Sequence, residues 1–169
     1  CPGCYPTATL LSLLPVAAAG LIESRGIVID AKSGVSGAGR SLKEGNLFCE
    51  IAEGMHAYGI GTHRHAPEIE QELTARFGAD LTVTFTPHLV PMTRGELITG
   101  YAQLSNGASV QDVHAALSKG YADEPFVTVR PFGSASPDTR HVRGTNRCEI
   151  SVHADRAKDR VIIVGVIDN

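Results

Sequence analysis

The chain has 169 residues, enough for one domain to bury about 70% of its unfolded surface without disulfides or metals, so a second full domain is not expected. Its 15 basic and 18 acidic residues, net charge −3, are scattered and form no basic stripe, which argues against a nucleic-acid partner and for small-molecule chemistry. Cysteines stand at positions 1, 4, 49 and 148. Cys1 and Cys4 make a CxxC, but no second pair completes a four-ligand zinc pattern, so a reduced, cytoplasmic protein is expected. A thioredoxin-type redox pair is the alternative for Cys1 and Cys4, although no strand precedes it.

From Thr7 to Ile22 the apolar run is rich in helix formers, with Pro6 or Thr7 suited to the opening positions. Pro15 is expected to kink or divide this helix. The stretch has no basic residues before it and is too short to span a bilayer, so neither a signal peptide nor a membrane span is expected. Cys4 falls at the helix start, where free N–H groups and the dipole favour a thiolate and lower a cysteine pKa toward roughly 3.5–7.5. Gly3 leaves the approach to it open. Cys4 is therefore the candidate nucleophile, against the plainer reading of a small buried apolar residue.

The β-branched run Gly26 to Ala31 reads as a buried strand feeding the glycine-rich loop Ser33 to Arg40. Residues 41–54 carry no clear pattern beyond helical character around Asn46 to Ile51. Pro67 to Phe77, with Pro early, acids in the first turn and Gly78 as a stop, predicts a helix. Leu81 to Thr86 and Glu96 to Leu104 alternate as strands, and Ser109 to Ala122 predicts a capped helix. Phe126 to Arg130, Cys148 to His153 and Arg160 to Ile167 predict three more strands, with Ser134 to Arg143 a loop. Strands in consecutive groups imply an α+β fold, a mostly antiparallel mixed sheet covered by helices on one face.

His63 and His65 flank Arg64. In an extended segment both imidazoles share a face and Arg64 takes the other, an arrangement that suits proton transfer to and from a thiol site. It also suits a metal, but no third or fourth ligand stands at zinc spacing, so no metal is expected. The loop Ser33 to Arg40 has neither the GxGxxG nor the GxxxxGK order, and by itself reads equally as a tight turn or a phosphate loop. Arg40, Arg64 and Arg94 carry forks suited to a carboxylate or phosphate.

Four stretches carry a family resemblance: PGCYPTA around Cys4, SGVSGAGR from Ser33 to Arg40, HRHAPEI from His63 to Ile69, and the terminal Ile167-Asp168-Asn169. In order and spacing they resemble the N-acetyl-gamma-glutamyl-phosphate reductases, NADPH-dependent enzymes of arginine biosynthesis. The resemblance implies Cys4 as the nucleophile that forms a thioester and His63 as acid and base. It implies NADP(H) contacts at Ser36, Gly37, Ala38, Gly39 and Asn169, and places Ser33, Arg40, Tyr58, Arg64, His65 and Arg94 around an acyl phosphate substrate. It also implies a single catalytic domain of the kind found in glyceraldehyde-3-phosphate and aspartate-semialdehyde dehydrogenases, a homo-oligomer through the sheet face, and a nucleotide-binding domain that this sequence does not contain. Amino-adipyl-phosphate reductases of lysine biosynthesis share the motifs and differ in substrate by a methylene. A non-catalytic assembly or substrate-binding module is the reading from a different class.

Overall fold

The first helix, α1 (Cys4–Ala18), starts three residues before the predicted position because Gly3 is already extended (φ −65°, ψ 166°) and caps it. Pro6 falls in the first turn, where a missing N–H costs nothing. These elements come from a computed structural model that describes residues 2–169. Cys1, and with it the alternative redox pairing to Cys4, lies outside the described residues.

Pro15 does not divide α1. A proline there leaves the carbonyl of Leu11 without its helical donor, and the Tyr121 hydroxyl donates to that carbonyl at 2.7 Å. A tertiary hydrogen bond thus repairs the local defect that the sequence exposes. The helix then stops at Ala18, and Ile22 instead bridges to Leu104.

The strands are β1 (Val28–Ser33), β2 (His56–Ala57), β3 (Thr84–Leu89), β4 (Glu96–Gln103), β5 (Val127–Val129), β6 (Cys148–Ala154) and β7 (Arg160–Ile167). They form a seven-stranded sheet in the order β2-β3-β1-β4-β7-β6-β5. Only β1 with β3 and β5 with β6 run parallel, as expected for an α+β fold with a largely antiparallel sheet. Strand β3 begins later than predicted, since the Glu70 carboxylate accepts the Val83 N–H at 3.0 Å and holds that approach out of the ladder.

The remaining helices are α2 (Phe48–Ile51), α3 (His65–Phe77), α4 (Val110–Gly120) and α5 (Thr139–Val142). Helix α3 ends at Gly78, whose φ of 68° is the left-handed C-cap a glycine supplies. Helix α4 has the reciprocal Ser109–Asp112 capping box. Helix α5 corrects the expected loop: the Asp138 side chain caps it by accepting from Arg140 N–H at 2.9 Å, and its Val142 is fully buried.

Period two sorts the sheet's faces. Glu96, Ile98, Gly100 and Ala102 of β4 turn one way with Ile29 and Ala31 of β1 and with Ile163 and Val161 of β7. Helix α1 lays Leu13 and Val16 against this face, each worth about 1.5–3 kcal/mol when buried. Close approach depends on Gly165, where a Cβ would stand 2.5 Å from Ser12 Oγ. The opposite face presents Leu97, Thr99, Tyr101 and Ile162, all only half-buried.

Candidate active site

The mouth of α1 opens into a cleft of about 750 Å³ lined by Cys4, Tyr5, Ser33, Gly37, Tyr58 and His63, among others. Cys4 is the first helical residue. Pro6 has no N–H and that of Thr7 returns to the Gly3 carbonyl at 2.9 Å, so Cys4 and Tyr5 hold the free N–H groups of the first turn. Those two N–H groups favour the Cys4 thiolate, as the helix start implied. Burial outweighs them and, followed by the Glu96 carboxylate beside it, pushes the thiol up to about 12. The expectation of a lowered thiol pKa is therefore reversed: the helix mouth is present, but it is partly buried and faces an acid.

The segment from His63 to His65 is not extended. Arg64 is helical (φ −58°, ψ −22°) and serves as the N-cap of α3, with His65 its first residue. The two imidazoles are nevertheless together, with ring centroids 4.9 Å apart, edge to face. A turn rather than a strand pairs them. His65 packs over Gly3, where a Cβ would collide with the ring, and Glu68 accepts the Gly3 N–H at 3.0 Å. The start of α3 thereby fixes the start of α1.

His65 N–H donates to His63 Nδ1 at 3.2 Å, so the neutral His63 ring carries its proton on Nε2. Burial first, then the nearby His65 and Arg64, hold the His63 pKa below the ordinary histidine value, and burial does the same for His65. His63 also stacks edge-on with Tyr58, Tyr5 and Phe85. The hydroxyls of Tyr5 and Tyr58 pair at 3.0 Å.

The glycine loop follows β1 as a 3-10 turn over Val35–Ala38. Asn169 clamps it: its Nδ2 donates to Ser33 Oγ and, at 3.1 Å, to the Gly34 carbonyl, while its Oδ1 accepts from Ser36 Oγ at 2.9 Å and from Gly95 N–H at 3.0 Å. Ser33, Ser36 and Asn169 thus spend their polar groups on one another. Gly37 and Ala38 line the cleft, whereas Ser36 and Gly39 border a separate shallow groove with Phe48 and Met92. Gly39 has φ 75°, a conformation that favours glycine.

Arg64 and His65 also line the cleft. Arg40 and Arg94 do not: Arg40 is exposed, and Arg94 lies 3.9 Å from Asp168. Lys43 and His56 take part in the lining instead. Sequence reasoning missed these two, together with Tyr5, Glu68 and Glu96. Glu96 had a readable signal, since its place at the head of a strand with alternating burial turns it inward with Ile98. Among the described residues no three His, Cys, Asp or Glu side chains gather as a metal site, and no helix is long and apolar enough to cross a membrane.

A mixed sheet with one helix face, and a thiol at a helix mouth opening into a cleft, define an α+β domain of the semialdehyde-dehydrogenase class. Over 99% of the chain the fold matches the crystal structure of aspartate semialdehyde dehydrogenase II from Vibrio cholerae, with TM-score 0.75, 18% identity and 56% of that chain covered. The chain belongs to the family described as semialdehyde dehydrogenase, dimerisation domain, whose model matches residues 4–169. It is 58% identical over 168 residues to an N-acetyl-gamma-glutamyl-phosphate reductase of Rhodospirillum rubrum, covering 99% of this chain and 47% of the relative. It is 52% identical to a probable chloroplastic enzyme of that name in Arabidopsis thaliana, covering 99% of this chain and 42% of that one. The chain spans about half the length of the curated relatives it matches.

Proposed function

We propose that this chain is the catalytic and dimerisation domain of an NADPH-dependent reductase that converts N-acetyl-glutamyl 5-phosphate to N-acetyl-glutamate 5-semialdehyde and phosphate. The observation that carries the reading is the convergence of Cys4 and His63 on one cleft at the mouth of α1. The names of relatives at 58% and 52% identity support glutamyl over amino-adipyl phosphate as substrate.

Cys4 attacks the acyl carbon, phosphate departs with the C–O electron pair, and a thioester remains that is easier to reduce than a carboxylate. The free N–H groups of Cys4 and Tyr5 suit the oxyanion that develops beside the sulfur. Bound NADPH supplies a hydride. The protein's fit to it rests on the exposed Gly37 and Ala38 beside the cleft, with Gly39 on the neighbouring groove, a stretch that the clamp of Ser33, Ser36 and Asn169 keeps in place. His63, protonated on Nε2, donates to the thiohemiacetal oxygen and takes the proton back as the aldehyde leaves. Arg64, with Lys43, offers the cleft's cationic groups to the substrate's phosphate or carboxylate.

The proposed enzyme acts with a nucleotide-binding half, and its subunits pair through the open sheet face. The test joins this chain to an N-terminal nucleotide-binding domain and measures NADPH oxidation with each acyl phosphate. Turnover with the N-acetyl-glutamyl compound is expected, and little from the 169-residue chain alone, because lost orientation removes about 7–11 kcal/mol of catalysis. Preference for the amino-adipyl compound would overturn the substrate assignment.

A further inference from the structure

Glu96 is the one fully buried acid in the described chain, with 0% of its surface exposed. Neither of its carboxylate oxygens meets a hydrogen-bond partner. A buried acid without a partner is costly, so its position calls for a reason. It stands where β4 begins, opposite Ser33 of β1 and Ile167 of β7. Its ionisable neighbours are Cys4 and Tyr5 from α1 and Tyr58, with no cation among them. Ser33 is already engaged with Gly34 and Asn169, and the Tyr5 and Tyr58 hydroxyls with each other. The Cys4 thiol is the group left to share a proton with Glu96.

We propose that Glu96 is the proton partner of Cys4, and that the nucleophile is the tautomer in which the thiol proton has passed to the Glu96 carboxylate. In that step the Cys4 S–H bond breaks and an O–H bond forms on Glu96, while the sulfur electron pair makes the bond to the acyl carbon. The idea rests on the acyl-transfer reading above and adds the step that His63 leaves open. In neutral His63 the proton sits on Nε2 and the Nδ1 lone pair accepts the His65 N–H, so no lone pair is left to take the thiol proton. Burial favours the protonated carboxyl and raises Glu96 to about 8, and burial also leads the causes that raise Cys4. Two groups so placed titrate as a pair.

The pairing has a signature that a purely structural Glu96 lacks. Below the ionisation of Glu96, each pH unit raises the thiolate fraction tenfold. Above it, the new negative charge offsets the gain and the reactive fraction levels off. The experiment measures the rate at which iodoacetamide modifies the Cys4-containing peptide between pH 6 and 10, by mass mapping, in the wild-type chain and in Glu96→Gln. The wild-type rate should flatten above about pH 8. That of Glu96→Gln should keep rising and exceed wild type by about tenfold at pH 9, one unit beyond the midpoint. Superimposable profiles would overturn the proposal. Should Glu96→Gln fail to fold, NMR titration of the Glu96 carboxyl in wild type and Cys4→Ala decides. A midpoint that moves upward without the thiol supports the pair, and an unmoved one refutes it. Neither readout involves an acyl phosphate, so failure here is distinct from failure of the substrate assignment.

Discussion

At the residue scale, His63 and His65 share a motif but not a situation. His63 lines the cleft half-buried with a free Nε2–H, while His65 is buried over Gly3 and spends its backbone N–H on its neighbour. His63→Asn in the two-domain enzyme should lower kcat by about 10²–10⁴-fold, the range for a lost proton transfer. His65→Asn should instead lower the melting temperature and reduce kcat less, since it removes the ring that packs between Gly3 and Tyr5. Steady-state kinetics beside thermal melts check both, and the opposite ranking would move the acid–base role to His65. Cys148 offers a contrast to Cys4. It too is pushed up to about 12 by burial, but it packs in the core and lines neither the cleft nor the groove beside it, so burial there reads as packing.

At the element scale, the approach of α1 to the sheet sets where Cys4 points. The contact relies on Gly165, and Gly165→Ala would drive a methyl group into Ser12 Oγ and against Ile98 Cγ1, 3.4 Å away. A loss of about 1–3 kcal/mol is expected from such overpacking. Ser12→Ala removes the nearest atom at the cost of its hydrogen bond to the Ala8 carbonyl. The double substitution should therefore cost less than the sum of the singles, measured by denaturant unfolding, and strict additivity would refute the contact.

Elements were legible wherever local chemistry and tertiary need agreed. The Ser109 capping box, the Gly78 stop, the alternation of β4 and the strand at β7 all stand close to where the sequence puts them. That Pro15 leaves α1 undivided was not legible, because its remedy, Tyr121, lies far along the chain. The HRH segment was misread because two adjacent imidazoles suggest a strand as readily as a helix N-terminus, and only Glu68 reaching Gly3 shows which. The Cys4 environment was misread for a similar reason. The helix mouth is local, whereas the acid that offsets it comes from β4. Likewise the motif arginines Arg40 and Arg94 carry no signal of which side of the glycine loop they will face.

At the scale of the whole molecule, the sheet divides the labour. One face is covered by α1 and α4 and carries the cleft at its β2–β3–β1 end. The other leaves Leu97, Thr99, Tyr101 and Ile162 half-buried, in a family described as a dimerisation domain. Thr99→Glu, which sets a charge in the middle of that face, should turn a dimer into a monomer in analytical ultracentrifugation. A dimer that persists would place the interface elsewhere.

On the proposed function, this chain alone holds what is needed to accept an acyl group on Cys4, with the nucleotide required only afterwards. The most direct test is intact-mass and peptide mapping of the 169-residue chain after brief exposure to N-acetyl-glutamyl phosphate without nucleotide. One N-acetyl-glutamyl adduct is expected, released by hydroxylamine as a thioester should be, located on Cys4 and abolished by Cys4→Ser. An adduct on Cys49 or Cys148 that survives Cys4→Ser, or no adduct on a folded wild-type chain, would contradict it.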